Sequence, residues 1–244
     1  MLGDGVDHGG GTRMKPQLCI VIPVLDEADR LAPWLAKLQP LRRRGVQLVL
    51  VDGGSVDGTL ELARGHADIV FQAPRGRAAQ MNAGAAASRA EVLLFLHADT
   101  ELPEGADALV LAAVANDRRW GRFDVQFDAR DALLQLVARL MNLRSRITGI
   151  ATGDQALFVC RDLFEAVGGF PEIPLMEDVA ISRALGRLGL PACLHAKVVT
   201  SARRWVRNGV WKTIFLMWRL RAAYFFGADP ARLALRYGNP RRES

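Results

Sequence analysis

The stretch LLFLHADTELP, Leu93 to Pro103, carries an apolar run straight into His97, Asp99 and Glu101. Ionisable groups at the end of a buried strand are costly to desolvate unless they meet a partner, so they mark a ligand, a metal or a catalytic task. The three alternate, and alternate residues of an extended chain project to one side. There, hard carboxylate oxygens could hold Mg2+ or Mn2+ bridging substrate phosphates. A second stretch, VDGGSVDGT, sets Asp52 before Gly53, Gly54 and Gly58. The glycines permit a tight turn and close ligand approach, while Asp52 can accept hydrogen bonds from a base or ribose. This is neither the G-x-G-x-x-G dinucleotide fingerprint nor a P-loop, whose lysine it lacks. In PRGRAAQMNAG, Arg75 and Arg77 open an alanine-rich helical pattern. Two cations beside a positive helix terminus call for an anion, and a diphosphate would serve.

The elements that must carry these residues alternate. Strand patterns over 18–23, 47–52, 69–72 and 92–97 are separated by helical patterns over 28–38, 59–66 and 77–88. Such βαβ alternation predicts an α/β domain with a doubly wound, mostly parallel central sheet flanked by helices. Ligands of open sheets of this class bind beyond the carboxyl ends of the strands, where Asp26, Glu27, Asp52, His97 and Asp99 gather. The second half is less regular. A helix over 104–115 leads to a strand over 121–127 and a long amphipathic helix over 132–146. TGDQALFVC then reads as a loop entering a strand, RDLFEAVGGF as a short helix, and MEDVAISRALGRLG as a helix opened by acids and stopped by Gly189.

The 244 residues suffice for one substantial core, and a chain 50% hydrophobic and 24% charged is of ordinary globular composition. Cys19, Cys160 and Cys193 are odd in number and far apart, which implies neither a disulfide framework nor a zinc site and suits a reducing cytoplasm. The glycine-rich, charged start lacks the apolar stretch of a signal peptide, and residues 1–16 are expected to be disordered. No window of about 18 apolar residues predicts a spanning helix. The charge is uneven: residues 201–244 hold ten of the 32 lysines and arginines but two of the 26 acids, giving +8 against −2 for the rest. Within this tail Trp211, Phe215, Trp218, Ala222 and Phe225 fall on one helical face, with Lys212 and Arg219 on another. Residues 208–226 could therefore lie in a membrane interface, with arginines drawn to anionic lipid, or pack on the domain or a second subunit. No recognition motif accompanies the charge, so nucleic acid is not expected.

The segments IPVLDEADRL, LVLVDGGSVDGT, GRAAQMNAG, LLFLHADTELP and MEDVAISRALGRLG occur in the order and approximate spacing of family 2 glycosyltransferases of the GT-A fold. The chain resembles that family from about Leu18 to Trp205, and most of all its small bacterial branch with HAD in place of Asp-x-Asp. The resemblance implies a GT-A domain over 17–205, with a nucleotide-sugar half to about 103 and an acceptor half beyond it. A basic, aromatic helical extension would follow over 206–244. It also implies that Pro23, Leu25, Glu27, Asp52 and Gly54 line the nucleotide pocket, that Arg77 and Asn82 sit near ribose or diphosphate, and that His97 and Ala98 join the same pocket. Asp99, matching the second acid of Asp-x-Asp, would hold the metal, with Glu101 beside it. His97 departs from the pattern at the first acid and, as a softer ligand, favours Mn2+-like ions over Mg2+.

On the acceptor side the resemblance makes Asp178 a general base with Glu177 in support, because a sugar hydroxyl is a poor nucleophile until it loses its proton. Without the other motifs these acids would simply favour a helix N-terminus. Gly153, Asp154 and Gln155 fall where relatives face the acceptor. TSARRWVRN is similar to the Gln-x-x-Arg-Trp element of processive members, so Arg204 and Trp205 would reach diphosphate and acceptor; Ser201 in place of Gln argues against a polymerase. His195 reads as a structural histidine. The implied activity is metal-dependent, inverting transfer from a nucleotide-diphosphate sugar to a hydroxyl or lipid-phosphate acceptor, in the cytoplasm or at the inner face of the cell membrane. Homo-oligomerisation stays open. A retaining transferase on the same fold, a sugar nucleotidyltransferase and a non-catalytic sugar-nucleotide sensor are the alternatives; the nucleotidyltransferase would place a Gly-rich, Arg-containing loop where PVLDEADR stands.

Overall fold

Leu18–Val24 (β1), LCIVIPV, is buried along its whole length, the mark of a strand covered on both faces. The computed structural model describes residues 16–238, so the tail expected over 1–16 lies, apart from Pro16, outside the described residues. Around β1 the first half alternates as its apolar periods predict: Ala28–Arg43 (α1), Gln47–Asp52 (β2), Thr59–Ala63 (α2), Ile69–Gln72 (β3), Arg77–Ala87 (α3) and Val92–Phe95 (β4). The second half adds Thr100–Glu101 (β5), Ala106–Ala115 (α4), Trp120–Phe127 (β6), Ala132–Thr148 (α5), Phe158–Cys160 (β7), Arg161–Ala166 (α6) and Glu177–Gly186 (α7). Ala192–Thr200 (β8), Arg203–Asn208 (α8), Val210–Phe225 (α9) and Pro230–Tyr237 (α10) complete it.

One sheet runs β3-β2-β1-β4-β7-β6-β8-β5. Four of its seven pairings are parallel, and β3, β2, β1 and β4 form a continuous parallel half. Alternate residues of β1 feed two cores. Ile20 and Ile22 pack with α1 residues such as Leu35, while Cys19 and Val21 pack with α3 residues such as Met81. Strand order reverses on either side of β1, and the loops after β1, β2 and β4 open at that switch point.

Three local expectations are corrected. The strand expected over 92–97 stops at Phe95, because the chain turns and the Thr100 N–H donates to the His97 carbonyl at 3.0 Å. His97, Asp99 and Glu101 therefore do not alternate along one extended strand. The helix expected over 59–66 ends at Ala63, whereas α1 runs past Leu38 and through Pro40 to Arg43. The long strand β8 had no clean apolar alternation to announce it. Its register against β6 slips between Phe123 and Asp124, leaving His195 and Ala196 unmatched in a bulge. His195 there lies 3.1 Å from Arg146 through Nδ1.

Candidate active site

The loops after β1 and β2 are laced to each other. The Asp26 N–H donates to Ser55 Oγ at 2.8 Å, the Glu27 N–H to Thr59 Oγ1 at 2.8 Å, and the Ala28 N–H to Asp57 Oδ2 at 3.0 Å. Asp52, at the end of β2, is fully buried. Its Oδ2 accepts from the Gly54 and Ser55 N–H groups, each at 2.9 Å, and its Oδ1 from the Ser55 hydroxyl. Gly54 sits at φ 90°, a conformation that suits glycine, so the carboxylate and the glycine together fix the turn. Beneath it, Gln80 of α3 donates through Nε2 to the Val24 and Val51 carbonyls at 2.8 Å each, clamping the ends of β1 and β2.

Across the switch point the charges are crowded. His97, Asp99, Asp154, Glu177 and Asp178 come from three segments and converge electrostatically on Arg77 at the start of α3. Burial and then the Arg77 guanidinium push the His97 pKa down to about 4, against the pull of Asp99 and Asp178, so the imidazole is neutral at pH 7. Burial and then Asp99 raise Asp154 to about 6. Burial and then Asp178 raise Glu177, which is almost wholly enclosed, to about 7. Such shifts are expected where like charges share a water-poor cleft without enough counter-charge.

The backbone builds this cleft closely. A Cβ on Gly153 would lie 2.2 Å from Cε1 of His97, so only glycine lets the 3-10 turn Gly153–Gln155 press on the imidazole. The Gly153 N–H donates to Asp178 Oδ2 at 3.0 Å, and the Val179 N–H to its Oδ1 at 2.7 Å. Ala156 and Met176, next to the 3-10 turn and at the N-cap of α7, and Asp26 in the loop after β1 hold positive φ of 48°, 71° and 49°, a strain that tends to collect at functional sites. A small cavity lined by His97, Gly153, Glu177 and Asp178 lies between the turn and α7.

The other residues singled out in the sequence divide. Pro23 is buried within β1, and Leu25 and Glu27 are half-buried in the loop after it. Ala98 packs against the core beside His97. Asn82 has both amide ends on Phe170, donating to its carbonyl at 2.8 Å and accepting from its N–H at 2.9 Å. Gln155 is buried, its Oε1 accepting from the Thr152 N–H at 3.2 Å. Glu101 turns to Lys37 in an ion pair. Trp205 packs edge-on against Phe127, with centroids 5.3 Å apart. Arg204 stacks 3.7 Å over the Tyr237 ring and donates to its hydroxyl.

Four residues that sequence reasoning missed also belong here. Gln80 had no signal beyond its place in GRAAQMNAG. Tyr237, Arg144 and Arg221 lie far along the chain, yet each is electrostatically coupled to Asp154, and Arg144 and Tyr237 to Asp178 as well. Arg221 and Tyr237 arrive because α9 and α10 fold back through Leu220 and Leu233 onto Met176 and Val179 of α7 and its N-cap, whereas Arg144 lies on α5.

Among the described residues no group of three or more His, Cys, Asp or Glu side chains could hold a metal alone. Mg2+ commonly binds through one or two carboxylates plus substrate phosphates, and for that mode Asp99 and Asp154 fit. Their mutual repulsion, which raises Asp154, is what a shared hard cation would relieve.

Among solved structures the chain is similar to a mannosyltransferase from Pyrobaculum calidifontis in complex with GDP-Man and Mn2+, at 21% identity and TM-score 0.59, covering 93% of this chain and 66% of that one. It is also similar to mannosyl-3-phosphoglycerate synthase from Rubrobacter xylanophilus, at 17% identity and TM-score 0.52, covering 79% and 70%. A third is glucosyl-3-phosphoglycerate synthase from Mycobacterium tuberculosis in complex with phosphoglyceric acid, at 19% identity and TM-score 0.53, covering 76% and 71%. The chain thus spans just under two thirds of the Pyrobaculum protein. No curated protein sequence matches significantly. These likenesses agree with the expected GT-A architecture. The family model described as "Glycosyl transferase family 2" matches residues 19–160, more than half the chain and the stretch that carries the loops after β1, β2 and β4; the chain belongs to glycosyl transferase family 2.

Proposed function

We propose that the protein transfers a sugar from a nucleotide-diphosphate donor to a hydroxyl-bearing or lipid-phosphate acceptor with inversion at the anomeric carbon. The observation that carries this is the convergence of Arg77, His97, Asp99, Asp154, Glu177 and Asp178 at the carboxyl edge of the parallel half-sheet. Asp178 is held at both oxygens by backbone N–H groups, which fixes its orientation for taking the acceptor proton as the hydroxyl attacks. Glu177, with its raised pKa, stays largely protonated below pH 7. Arg77 faces the diphosphate and offsets the charge that develops on it. Asp52 acts by fixing the Gly53–Ser55 turn on which the nucleotide rests. Asp99 and Asp154 would hold a divalent cation, which supplies electrostatic stabilisation of the leaving diphosphate. The complex of the Pyrobaculum protein with GDP-Man and Mn2+ supports both the donor class and the ion.

Thermal-shift screening of nucleotide sugars with Mn2+ tests the reading, since a ligand at 100 times its Kd stabilises by about 2.7 kcal/mol. Product analysis with acceptors follows. No shift with any donor refutes it; binding with neither hydrolysis nor transfer makes the protein a sensor; retained anomeric configuration refutes inversion.

We propose further that the outer face of α9 meets an anionic membrane surface at the cytoplasmic side. Trp211, Phe215, Trp218, Phe225 and Phe226 are 67–85% exposed, beside exposed Lys212 and Arg219. No helix among the described residues is long and apolar enough to cross a membrane. An interfacial contact needs only such an apolar face with flanking cations. Co-sedimentation with anionic and neutral vesicles tests it, and equal partitioning to neither would refute it.

A further inference from the structure

Arg144, on α5, has Nε and Nη2 shielded from solvent without a hydrogen-bond partner. A shielded guanidinium N–H that meets no acceptor is costly, and evolution rarely leaves one idle. Its nearest electrostatic company is also wrong for a structural role. Burial and the like charge of Arg221, with a further contribution from Arg122, pull the Arg144 pKa down to about 10, although it remains charged at pH 7. Arg122 has its own carboxylate partner in Asp124. Arg221, half-buried on α9, makes no hydrogen bond or ion pair among the described residues. Arg144 on α5 and Arg221 on α9 thus lie within electrostatic reach of each other and of Asp154, and Arg144 also within reach of Asp178.

We infer that Arg144 and Arg221 form an oxyanion subsite that binds a phosphate monoester group on the acceptor, beside the base Asp178. The proposal rests on the transfer reading above and narrows its acceptor class. A phosphate dianion matches two guanidiniums in charge, and its oxygens match their forked donors. The subsite is separate from Arg77, which serves the donor diphosphate at the start of α3. The same anion can come from a soluble phosphorylated compound, whose separate hydroxyl attacks and gives its proton to Asp178, or from a polyprenyl phosphate in a membrane, whose ionised phosphate oxygen is itself the nucleophile and needs no base. The second source is within reach because exposed Trp218, three residues before Arg221, neighbours it on the surface of α9.

Titration calorimetry of the full chain with sn-glycerol 3-phosphate forms one arm. Binding to phosphatidylcholine vesicles with and without polyprenyl phosphate forms the other. Wild type is expected to bind at least one of the two probes; soluble binding assigns a soluble acceptor and vesicle binding a lipid one. Arg144→Gln and Arg221→Gln should each weaken that binding by at least about tenfold, the loss of a charged hydrogen-bonding group. Circular dichroism checks folding; should Arg144→Gln not fold, Arg144→Lys replaces it, keeping the charge and losing the fork. No saturable binding of either probe to wild type, or unchanged binding in Arg221→Gln, overturns the proposal. So does loss confined to Arg77→Gln, which would assign the anion to the donor pocket. Glycerol-phosphate binding through Arg221 without any nucleotide-sugar thermal shift would refute the transfer reading alone. Nucleotide-sugar binding without phosphate binding would refute only this subsite.

Discussion

The loops of the donor side and the cleft facing α7 are both rich in polar side chains, but they treat them in opposite ways. On the donor side Asp52, Asn82 and Gln80 are saturated by backbone partners at 2.8–2.9 Å. In the cleft, Arg77, Asp154, Glu177 and Arg144 sit near like or opposite charges with few direct bonds, and their pKa values move. Saturated groups stabilise a scaffold, because each buried partner would be costly to leave unmade. Unsaturated groups cost stability and retain their capacity for a ligand. The two regions should therefore respond differently to substitution.

The largest effect is expected in the cleft. Asp178→Asn should lower transfer by about 10^2–10^4-fold, the usual contribution of a general base, while the protein stays folded, because the amide oxygen can still accept from one of the two N–H groups. Rates of product formation beside circular dichroism measure this; an active variant would break the assignment. On the donor side the loss should be in stability. Gln80→Ala removes both bonds that clamp the ends of β1 and β2, although the Val24 carbonyl keeps the Gly53 N–H, a cost of about 2 kcal/mol by denaturant unfolding. A stable Gln80→Ala protein would erase the distinction between scaffold and site.

pH sharpens the same contrast. Glu177 titrates near 4.5 when unfolded and about 7 when folded, so folding disfavours its charged form. Its contribution is therefore neutral below pH 4.5 and turns unfavourable as pH rises towards 7. His97 runs the other way: lowered to about 4 when folded, it costs stability as pH falls from 6.5 towards 4. Glu177→Gln should then be more stable than wild type at pH 8 by on the order of 2 kcal/mol, with little difference at pH 4. Chelator-treated protein in denaturant series at both pH values provides the measurement.

The scaffold was more legible than the site. Strict apolar runs bounded by glycine and acid made β1, β2 and β4 readable, since burial on both faces leaves a contiguous signal. β8 was not, because its bulge at His195 breaks the period. Individual acids at strand ends were visible as anomalies, but which of them would be saturated was not. Nothing local distinguishes Asp52, consumed by its own turn, from Asp99 in the loop after β4. Glu101 paired with Lys37 because a turn at Ala98 and Asp99 ended the extended geometry that alternation presumes. Arg144, Arg221 and Tyr237 were illegible for another reason. Arg221 and Tyr237 reach the cleft through the fold-back of α9 and α10, a contact set by Leu220 and Leu233, and Arg144 meets them from α5, a meeting that no spacing in the sequence encodes.

The smallest expected effect concerns α9, whose two faces repeat the contrast on one helix. Leu220 is buried against α7, so Leu220→Ala should destabilise by about 2–5 kcal/mol. Trp218 and Trp211 are each 71% exposed and support no such contact, so the double alanine variant should leave stability within about 0.5 kcal/mol. Its cost should fall on membrane partitioning. Two indole rings transferred from water to an interface carry most of the apolar area of this face, while Lys212 and Arg219 supply the salt-sensitive part. Vesicle co-sedimentation of the double variant should therefore drop by about tenfold on anionic vesicles at every salt concentration. Lys212→Gln with Arg219→Gln should lose affinity chiefly at low salt. If the tryptophan variant instead lost stability and kept its partitioning, the exposed face would be structural, and the distinction between saturated and unsaturated surfaces would not extend to the helix that closes the cleft.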